Sequence, residues 1–327
     1  IILLLPLVAA QDNYNSYDEL EVQVIIENEI AVSSDNPDLD YLETELFFFP
    51  EENAYQDVSS TIELSPDGII EEGDSLEIRW NENSMSYSYY YEATVNRKTE
   101  FIEIAEKQVF PIVETDDSVR DYVQESEYID INEEIQDQAL DIVQGEDDLY
   151  VAVFKLAQWT ENNIEYDLNT VTSNAVQKSS WVLENEEGVC DELTNLFLSF
   201  CRSLGIPARF VSGMAYTNLL GDFGAHGWAE VYIDGHWIPV DVTYGQFGWV
   251  DPSHIKFQDA VDSGEGSASF RWQGSNLDFD IGELDIDVEM VEASGEGENY
   301  LDMEIYSLVD NVGEGSYVPV QVALTNN

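Results

Sequence analysis

The hydrophobic pattern of the chain changes its period twice, and this alternation limits the folds that are available to it. Apolar residues recur at every second position in the first third of the chain, then at helical spacing, and then again at every second position. Period-two alternation is typical of half-buried strands, whereas positions i, i+3, i+4 and i+7 mark one face of a helix. We therefore expect an α+β chain with its helices in the middle, between strand-rich regions.

The first strand-rich region covers residues 18–112. Apolar side chains alternate with polar ones from Leu20 to Val24, and the stretch Tyr87–Tyr91 is rich in residues that favour strands. Several short strands, separated by turn residues such as those at 67–68, predict a β-sandwich-like domain. We expect the tyrosines of 87–91 to pack in its core rather than to bind a ligand.

The next region, residues 117–260, begins with helical periodicity. The first helix is predicted around Ile135 and Ala139, and the second runs from Leu149 to about Asn162. The third has an apolar stripe, formed by Leu193, Leu196, Phe197, Phe200 and Leu204. Three predicted strands follow it, so this region predicts a helical layer packed on an antiparallel sheet.

Beyond this domain the sequence predicts a linker and a second β-region. Residues 261–283 include a stretch rich in glycine, serine and acidic residues, which is typical of linkers. Alternation returns in residues 284–327, which we expect to form a truncated C-terminal β-domain. Whether a membrane anchor for attachment to the cell surface follows Asn327 stays open.

The charge of the chain restricts both its surroundings and its partners. Sixty-eight acidic residues face eleven basic ones, which gives a formal net charge of −57. A folded protein with this excess repels itself at low salt, and at 1 M salt the Debye length falls to about 3 Å. We therefore expect a salt-rich, halophilic setting, with an ordinary soluble acidic surface as the alternative. Nucleic acid is excluded as a partner, since no basic patch could neutralise its phosphates.

The N-terminal segment 1–10 has the pattern of a secretory signal peptide. Eight apolar residues, Ile1 to Val8, precede the small residues Ala9 and Ala10. Eight residues are too few to span a bilayer. We interpret the segment as a signal-peptide remnant and expect an exported protein that begins near Gln11.

The two cysteines of the chain, Cys190 and Cys201, both fall on the third predicted helix. Eleven residues correspond to a rise of about 16 Å along a helix, whereas a disulfide needs Cα atoms within about 7 Å. The two thiols therefore cannot bridge each other. Cys201 lies beside the apolar stripe and is predicted to be a small core residue.

Cys190 stands at the start of this helix, directly after Gly188 and Val189. Unpaired backbone N–H groups and the helix dipole stabilise a thiolate at such a position. The neighbouring Asp191 and Glu192 oppose this effect, because negative charge disfavours a second anion. On these grounds Cys190 is either a reactive thiol or a core cysteine, and both interpretations stay open.

A reactive cysteine needs a base, and the positions of the three histidines indicate which of them could act as that base. A two-residue hairpin loop at 234–235 would place His226 and Asp241 on one face of the hairpin, as diagonal neighbours about 7–8 Å apart in backbone. Imidazole and carboxylate in contact form the base and orienting group of a triad. His236 falls on the opposite face, and His254, in a loop after a proline, is predicted to lie at the surface.

The chain resembles the transglutaminase-like superfamily in two stretches, GVCDELTNLFLSFCRSLGIPARFVSG and HGWAEVYIDGHWIPVDVT. The similarity covers about residues 152–245. It implies a papain-like fold, with Cys190 as nucleophile, His226 as base and Asp241 as orienting residue. It also implies an oxyanion hole made by the N–H of the cysteine and an upstream group, for which Trp159 and Trp181 are candidates.

Three classes of function remain on this evidence. A thiol enzyme would act on amide bonds of a protein or peptide, as a peptidase or amidase with water and as a crosslinking acyltransferase with an amine. A non-catalytic cell-surface structural or interaction module is the alternative, although all three triad residues are present. A metal-binding protein fits poorly, because metal-ligand spacings are missing, and we expect neither a metal nor a cofactor. We predict the exported thiol enzyme, and hydrolysis versus crosslinking and the oligomeric state stay open.

Overall fold

The computed structural model describes residues 14–34, 36–73, 75–168, 176–218, 221–295, 301–309 and 319–326. The expected signal peptide at 1–10 lies outside these ranges. The four α-helices are α1 (Glu133–Ile142), α2 (Leu149–Asn163), α3 (Ser179–Asn185) and α4 (Cys190–Ser203). Within the described ranges, no helix combines the length and apolar character needed to cross a bilayer.

Twenty strands accompany these helices in the described residues. The first ten are β1 (Glu19–Val32), β2 (Asp38–Leu46), β3 (Gln56–Ser65), β4 (Ile69–Glu72), β5 (Leu76–Trp80), β6 (Ser86–Lys98), β7 (Glu100–Phe101), β8 (Glu165–Tyr166), β9 (Glu187–Gly188) and β10 (Ala208–Thr217). The others are β11 (Asp222–Ile233), β12 (His236–Asp241), β13 (Gln246–Phe247), β14 (Trp249–Val250), β15 (His254–Ala260), β16 (Ala268–Ser275), β17 (Phe279–Ile281), β18 (Asp285–Ser294), β19 (Leu301–Ser307) and β20 (Val320–Asn326).

Two antiparallel sheets form the β-sandwich that the sequence predicts. One has the order β17-β1-β6-β3, with β18 also beside β1, and the other has the order β16-β2-β5-β4. Alternate residues of the strands point into a shared core, as the burial pattern of β1 shows. Tyr87, Tyr89 and Tyr91 lie in this core with 1%, 2% and 3% of their surface exposed, which confirms their packing role.

Strand pairing in residues 261–294 corrects the predicted linker and the first part of the predicted C-terminal β-domain, whereas β19 and β20 form a two-stranded sheet of their own. Within residues 261–283, β16 pairs with β2 and β17 pairs with β1. Strand β18 then adds to the same sandwich by pairing with β1 along most of its length. The glycine and serine content misled the prediction, because edge strands with one solvent face tolerate polar residues.

The central helix α4 lies between helices and a five-stranded antiparallel sheet, whose order is β13-β12-β11-β10-β15. It packs on β10 and β11 on one side and on α1, α2 and α3 on the others. Every residue from Glu192 to Arg202 is consequently buried, whereas the sequence predicts only one buried stripe. Cys201 is fully buried in this helix, as predicted.

The β-sandwich packs directly against this sheet at β15. Ile255 and Phe257 extend from β15 into the hydrophobic core of the sandwich. The Gln56 side chain of β3 donates to the main-chain oxygen of Lys256 at 2.7 Å and accepts from its N–H at 2.9 Å. The sandwich therefore fixes the edge strand of the sheet that carries the candidate site.

Candidate active site

Cys190 is the first residue of α4, where backbone N–H groups have no partner within the helix. The Glu192 side chain accepts a hydrogen bond from the Val189 N–H at 3.2 Å and caps the helix start. Cys190 is partly exposed, and neither it nor Cys201 forms a disulfide. The prediction that the two thiols cannot bridge is confirmed.

A glycine brings α4 close to the strand that carries His226. A Cβ atom at Gly227 would lie 2.3 Å from Phe210 Cζ and 2.8 Å from Asp191 Oδ1, so a larger residue would push the helix away. Thr194 of α4 donates to the main-chain oxygen of Gly227 at 3.2 Å. Since Gly227 follows His226 in the chain, these contacts fix the thiol relative to the imidazole.

The hairpin of β11 and β12 brings His226 and Asp241 together. Its register pairs Ile233 with His236 and continues to Ala229 opposite Val240, which confirms the predicted two-residue loop. His226 Nε2 lies 2.7 Å from Asp241 Oδ2. The predicted contact between imidazole and carboxylate is therefore present.

The surroundings of His226 favour its charged form. Burial alone lowers its pKa, but the Asp241 carboxylate and the Cys190 sulfur outweigh burial and raise the pKa to about 9. Since Nε2 faces Asp241, Nδ1 is the nitrogen left to contact the thiol. The ring of Tyr244 stacks on the imidazole with centroids 4.6 Å apart and holds its plane.

Asp241 accepts hydrogen bonds on both of its oxygens. Oδ1 accepts the N–H groups of Thr243 at 2.7 Å and Tyr244 at 2.9 Å. Oδ2 accepts from His226 and also from His254 Nε2 at 2.9 Å. Although burial opposes ionisation, the two histidines hold the pKa of this carboxyl far below its usual range. Asp241 is therefore a fixed anion between two rings.

The position of His254 corrects its predicted surface location. It is fully buried at the start of β15, because this strand pairs with β10 and is covered by the sandwich. Its Nδ1 lies 3.3 Å from the Asp251 main-chain oxygen and 3.4 Å from Asp251 Oδ1. His236, in contrast, is exposed.

A model of the transglutaminase-like superfamily matches residues 136–242, which include Cys190, His226 and Asp241. This segment is similar to the core of the transglutaminase-like superfamily. Kyphoscoliosis peptidase of Mus musculus is 32% identical over 108 residues, and its Homo sapiens counterpart is also 32% identical over 108 residues. In both cases the match covers 30% of this chain, which spans 16% of the length of the relative.

The structural similarity to solved proteins extends beyond the matched segment. The crystal structure of a candidate cysteine protease from Cytophaga hutchinsonii has a TM-score of 0.61 to this chain, at 21% identity. The similarity covers 85% of this chain and 92% of that chain, so it includes much of the β-sandwich as well as the core. The predicted α+β class and transglutaminase-like fold are confirmed.

Tyr166 is a neighbour of the thiol that sequence analysis missed. Its short strand β8 runs parallel to β9, with Tyr166 opposite Gly188, so the ring starts beside the N-terminus of α4. The hydroxyl interacts with both the backbone N–H and the sulfur of Cys190. Burial and the charge of Cys190 raise the pKa of Tyr166 to about 12, so the phenol stays protonated.

Trp159, one of the two tryptophans proposed for the oxyanion hole, packs far from the thiol. The ring of Trp159 packs on Phe200 with centroids 5.4 Å apart. Phe200 lies ten residues along α4 from Cys190, or about 15 Å along the helix axis. Trp181 packs against the same hydrophobic cluster. Trp159 is therefore too far from the thiol, and Tyr166 fits the upstream position better.

Asp191 brings a second carboxylate to the thiol. Its Oδ1 lies 3.7 Å from Cys190 Sγ. Burial and the nearby Glu192 raise the pKa of Asp191 to about 6. Asp191 is thus mostly ionised at pH 7, where it opposes the thiolate and favours the charged His226.

The histidines and Asp241 also have a spacing that a metal ion could use. His226, Asp241 and His254 offer three ligand atoms within 4.8 Å of one another. Both Nε2 atoms, however, face the same carboxylate oxygen and donate hydrogen bonds to it through their protons. A cation would have to displace these two protons, so the geometry fits acid–base chemistry better than metal ligation.

Proposed function

We propose that this chain is a thiol enzyme that acts on amide bonds of proteins or peptides through an acyl-enzyme on Cys190. One observation carries the proposal: the thiol lies at a helix N-terminus beside His226, which Asp241 holds at 2.7 Å. A cysteine next to a charged imidazole forms the ion pair that makes a strong nucleophile.

The proposed reaction uses each of these groups in turn. The Cys190 thiolate attacks the carbonyl carbon, and the oxyanion that forms accepts hydrogen bonds from the Cys190 N–H and the Tyr166 hydroxyl. When the C–N bond breaks, imidazolium His226 gives its Nδ1 proton to the leaving amine and a thioester remains. Water or a second amine then attacks the thioester, His226 takes up its proton, and the thiolate leaves.

The acyl acceptor decides between the two outcomes. Water as acceptor gives a peptidase or amidase, whereas an amine gives a crosslinking acyltransferase. Both reactions pass through the same acyl-enzyme, so the proposal concerns the acylation of Cys190 before the choice of acceptor. We also propose export, on the basis of the apolar segment at 1–10 and its small residues.

Mass spectrometry of the acyl-enzyme tests the proposal. The protein is incubated with a panel of activated esters and glutamine- or lysine-containing peptides, with and without a primary amine. We expect acylation of Cys190, turnover of at least one donor, and no acylation of the Cys190→Ala variant. Absence of any acyl-enzyme, while the protein remains folded in high salt, would support the alternative of a non-catalytic surface module.

A further inference from the structure

Both ring nitrogens of His254 face oxygen atoms that can only accept hydrogen bonds. Nε2 lies 2.9 Å from Asp241 Oδ2, and Nδ1 lies 3.3 Å from the Asp251 main-chain oxygen. A neutral imidazole has one N–H and one lone pair, so it would point a lone pair at an acceptor. Only the imidazolium ion, which has an N–H on each nitrogen, can donate a hydrogen bond to both acceptors.

We propose that His254 is a positively charged positioning residue, which shares Asp241 with His226 and thereby weakens the stabilisation that Asp241 gives to the His226 imidazolium ion. The inference rests on the proposed function, because it concerns the protonation of the proposed acid. His254 lies outside the segment matched to the superfamily, which ends at residue 242.

A dedicated set of contacts keeps His254 in place. Asp251, which faces Nδ1, accepts from Ser253 Oγ at 2.6 Å and from Gln246 Nε2 at 2.5 Å. Burial opposes the charge of Asp251, but His254 and these donors lower its pKa to about 2. On the other side, Arg97 of the β-sandwich donates to the His254 main-chain oxygen at 2.7 Å. The site therefore includes a contribution from the sandwich.

The charge of His254 acts on His226 in two ways. The two ring centroids are 5.7 Å apart, so the two positive charges repel each other directly. In addition, Asp241 Oδ2 divides its negative charge between both rings. Each effect favours loss of the His226 proton, and an acid works best when its pKa lies near the working pH.

Other charged or titratable groups also face this pair, and a substitution at His254 leaves these groups in the chain. His254 is faced by Asp241, Asp251, His226, Tyr244 and Arg97, and His226 is faced in addition by Cys190 and Asp191.

The test is the pH dependence of Cys190 alkylation by iodoacetamide between about pH 5 and 10, with the labelled residue located by mass spectrometry. His254→Gln keeps a donor toward Asp241 but removes the charge. We expect the step in rate that reports loss of the His226 proton to move to higher pH by about one unit. His236→Gln, the same change at an exposed histidine, should leave the step where it is.

A folded His254→Gln variant whose step stays in place, or moves to lower pH, would overturn the inference. If that variant does not fold, ¹⁵N NMR of the wild-type imidazoles decides instead. His254 should carry protons on both nitrogens at pH 7, and a neutral ring there would overturn the inference. A wild-type protein without any pH step would instead count against the proposed function, whatever the variant does.

Discussion

Arg97 donates from Nε to the main-chain oxygen of His254 at 2.7 Å. This hydrogen bond crosses the boundary between the β-sandwich and the five-stranded sheet that carries the candidate site. The Arg97 side chain is fully buried, and its Nη2 pairs with Glu100 Oε2 at 2.6 Å. The sandwich is therefore part of the support of the site, since it fixes the backbone of a residue that contacts Asp241.

Replacing Arg97 should disturb both stability and the site. Arg97→Met leaves Glu100 buried without its cation, which we expect to cost about 3–5 kcal/mol of unfolding free energy. The same change at Arg79, whose pair with Glu43 leaves the arginine 40% exposed, should cost about 0–1 kcal/mol. Urea unfolding in high salt measures both. Equal losses in the two variants would show that the Arg97 contact has no special role.

Removing the charge of Asp241 should move the pH step of Cys190 alkylation in the direction opposite to that expected for His254→Gln. In Asp241→Asn an amide NH2 would meet only donors, so we expect a loss of about 3–5 kcal/mol in stability and of about 10³–10⁴-fold in acylation rate. Because Asp241 raises the pKa of His226, the pH step in alkylation should move to lower pH. Asp234→Asn, at the hairpin turn where φ is +53°, serves as control and should change neither quantity.

The Tyr166 hydroxyl should matter for acylation rather than for binding. Tyr166→Phe removes one proposed oxyanion donor, and we expect the acylation rate to fall by about 10²-fold, with little change in KM. Tyr306→Phe, at another partly exposed tyrosine of a strand, is the matched control. A Tyr166→Phe variant with an unchanged single-turnover rate of acylation would rule out this role for the hydroxyl.

Local sequence patterns predicted the parts of the site that depend on local geometry. The apolar spacing from Leu193 to Phe200 predicted the helix of Cys190, and the loop at 234–235 predicted the register that joins His226 to Asp241. Both features follow from the periodicity of one helix or one hairpin. They need no information about distant segments.

The parts that the sequence did not predict depend on contacts between distant segments. His254 is buried because Arg97, which lies 157 residues earlier in the chain, and the core of the sandwich cover its strand. Tyr166 reaches Cys190 through a parallel pair of two-residue strands, which are too short for any periodic signal. Strand β16 was predicted as linker because its burial depends on pairing with β2.

Salt should stabilise the protein, and the structure sharpens this prediction. Four of the eleven basic residues, Arg97, Arg202, Arg209 and Lys256, are buried or nearly so. These cations pair with internal groups and therefore neutralise little of the negative charge on the surface. Screening by dissolved salt is then the main effect that reduces the repulsion between the surface carboxylates. We expect the Tm from circular dichroism to rise between about 0.1 and 2 M NaCl or KCl.

A sodium sulfate series separates screening from salting-out, which also strengthens apolar burial. A Tm that is flat or falls over the chloride series would contradict a halophilic setting.

Competition between the two thiols for one alkylating reagent tests the central claim most directly. The folded protein is treated with limiting iodoacetamide at pH 7 in high salt, and the label on each cysteine is measured by mass spectrometry. Cys190 should react much faster than Cys201, because it lies at a helix N-terminus beside a charged His226, whereas burial raises the pKa of Cys201. Unfolding in urea should make the two rates similar. Equal rates in the folded protein, or faster labelling of Cys201, would contradict the assignment of Cys190 as the nucleophile.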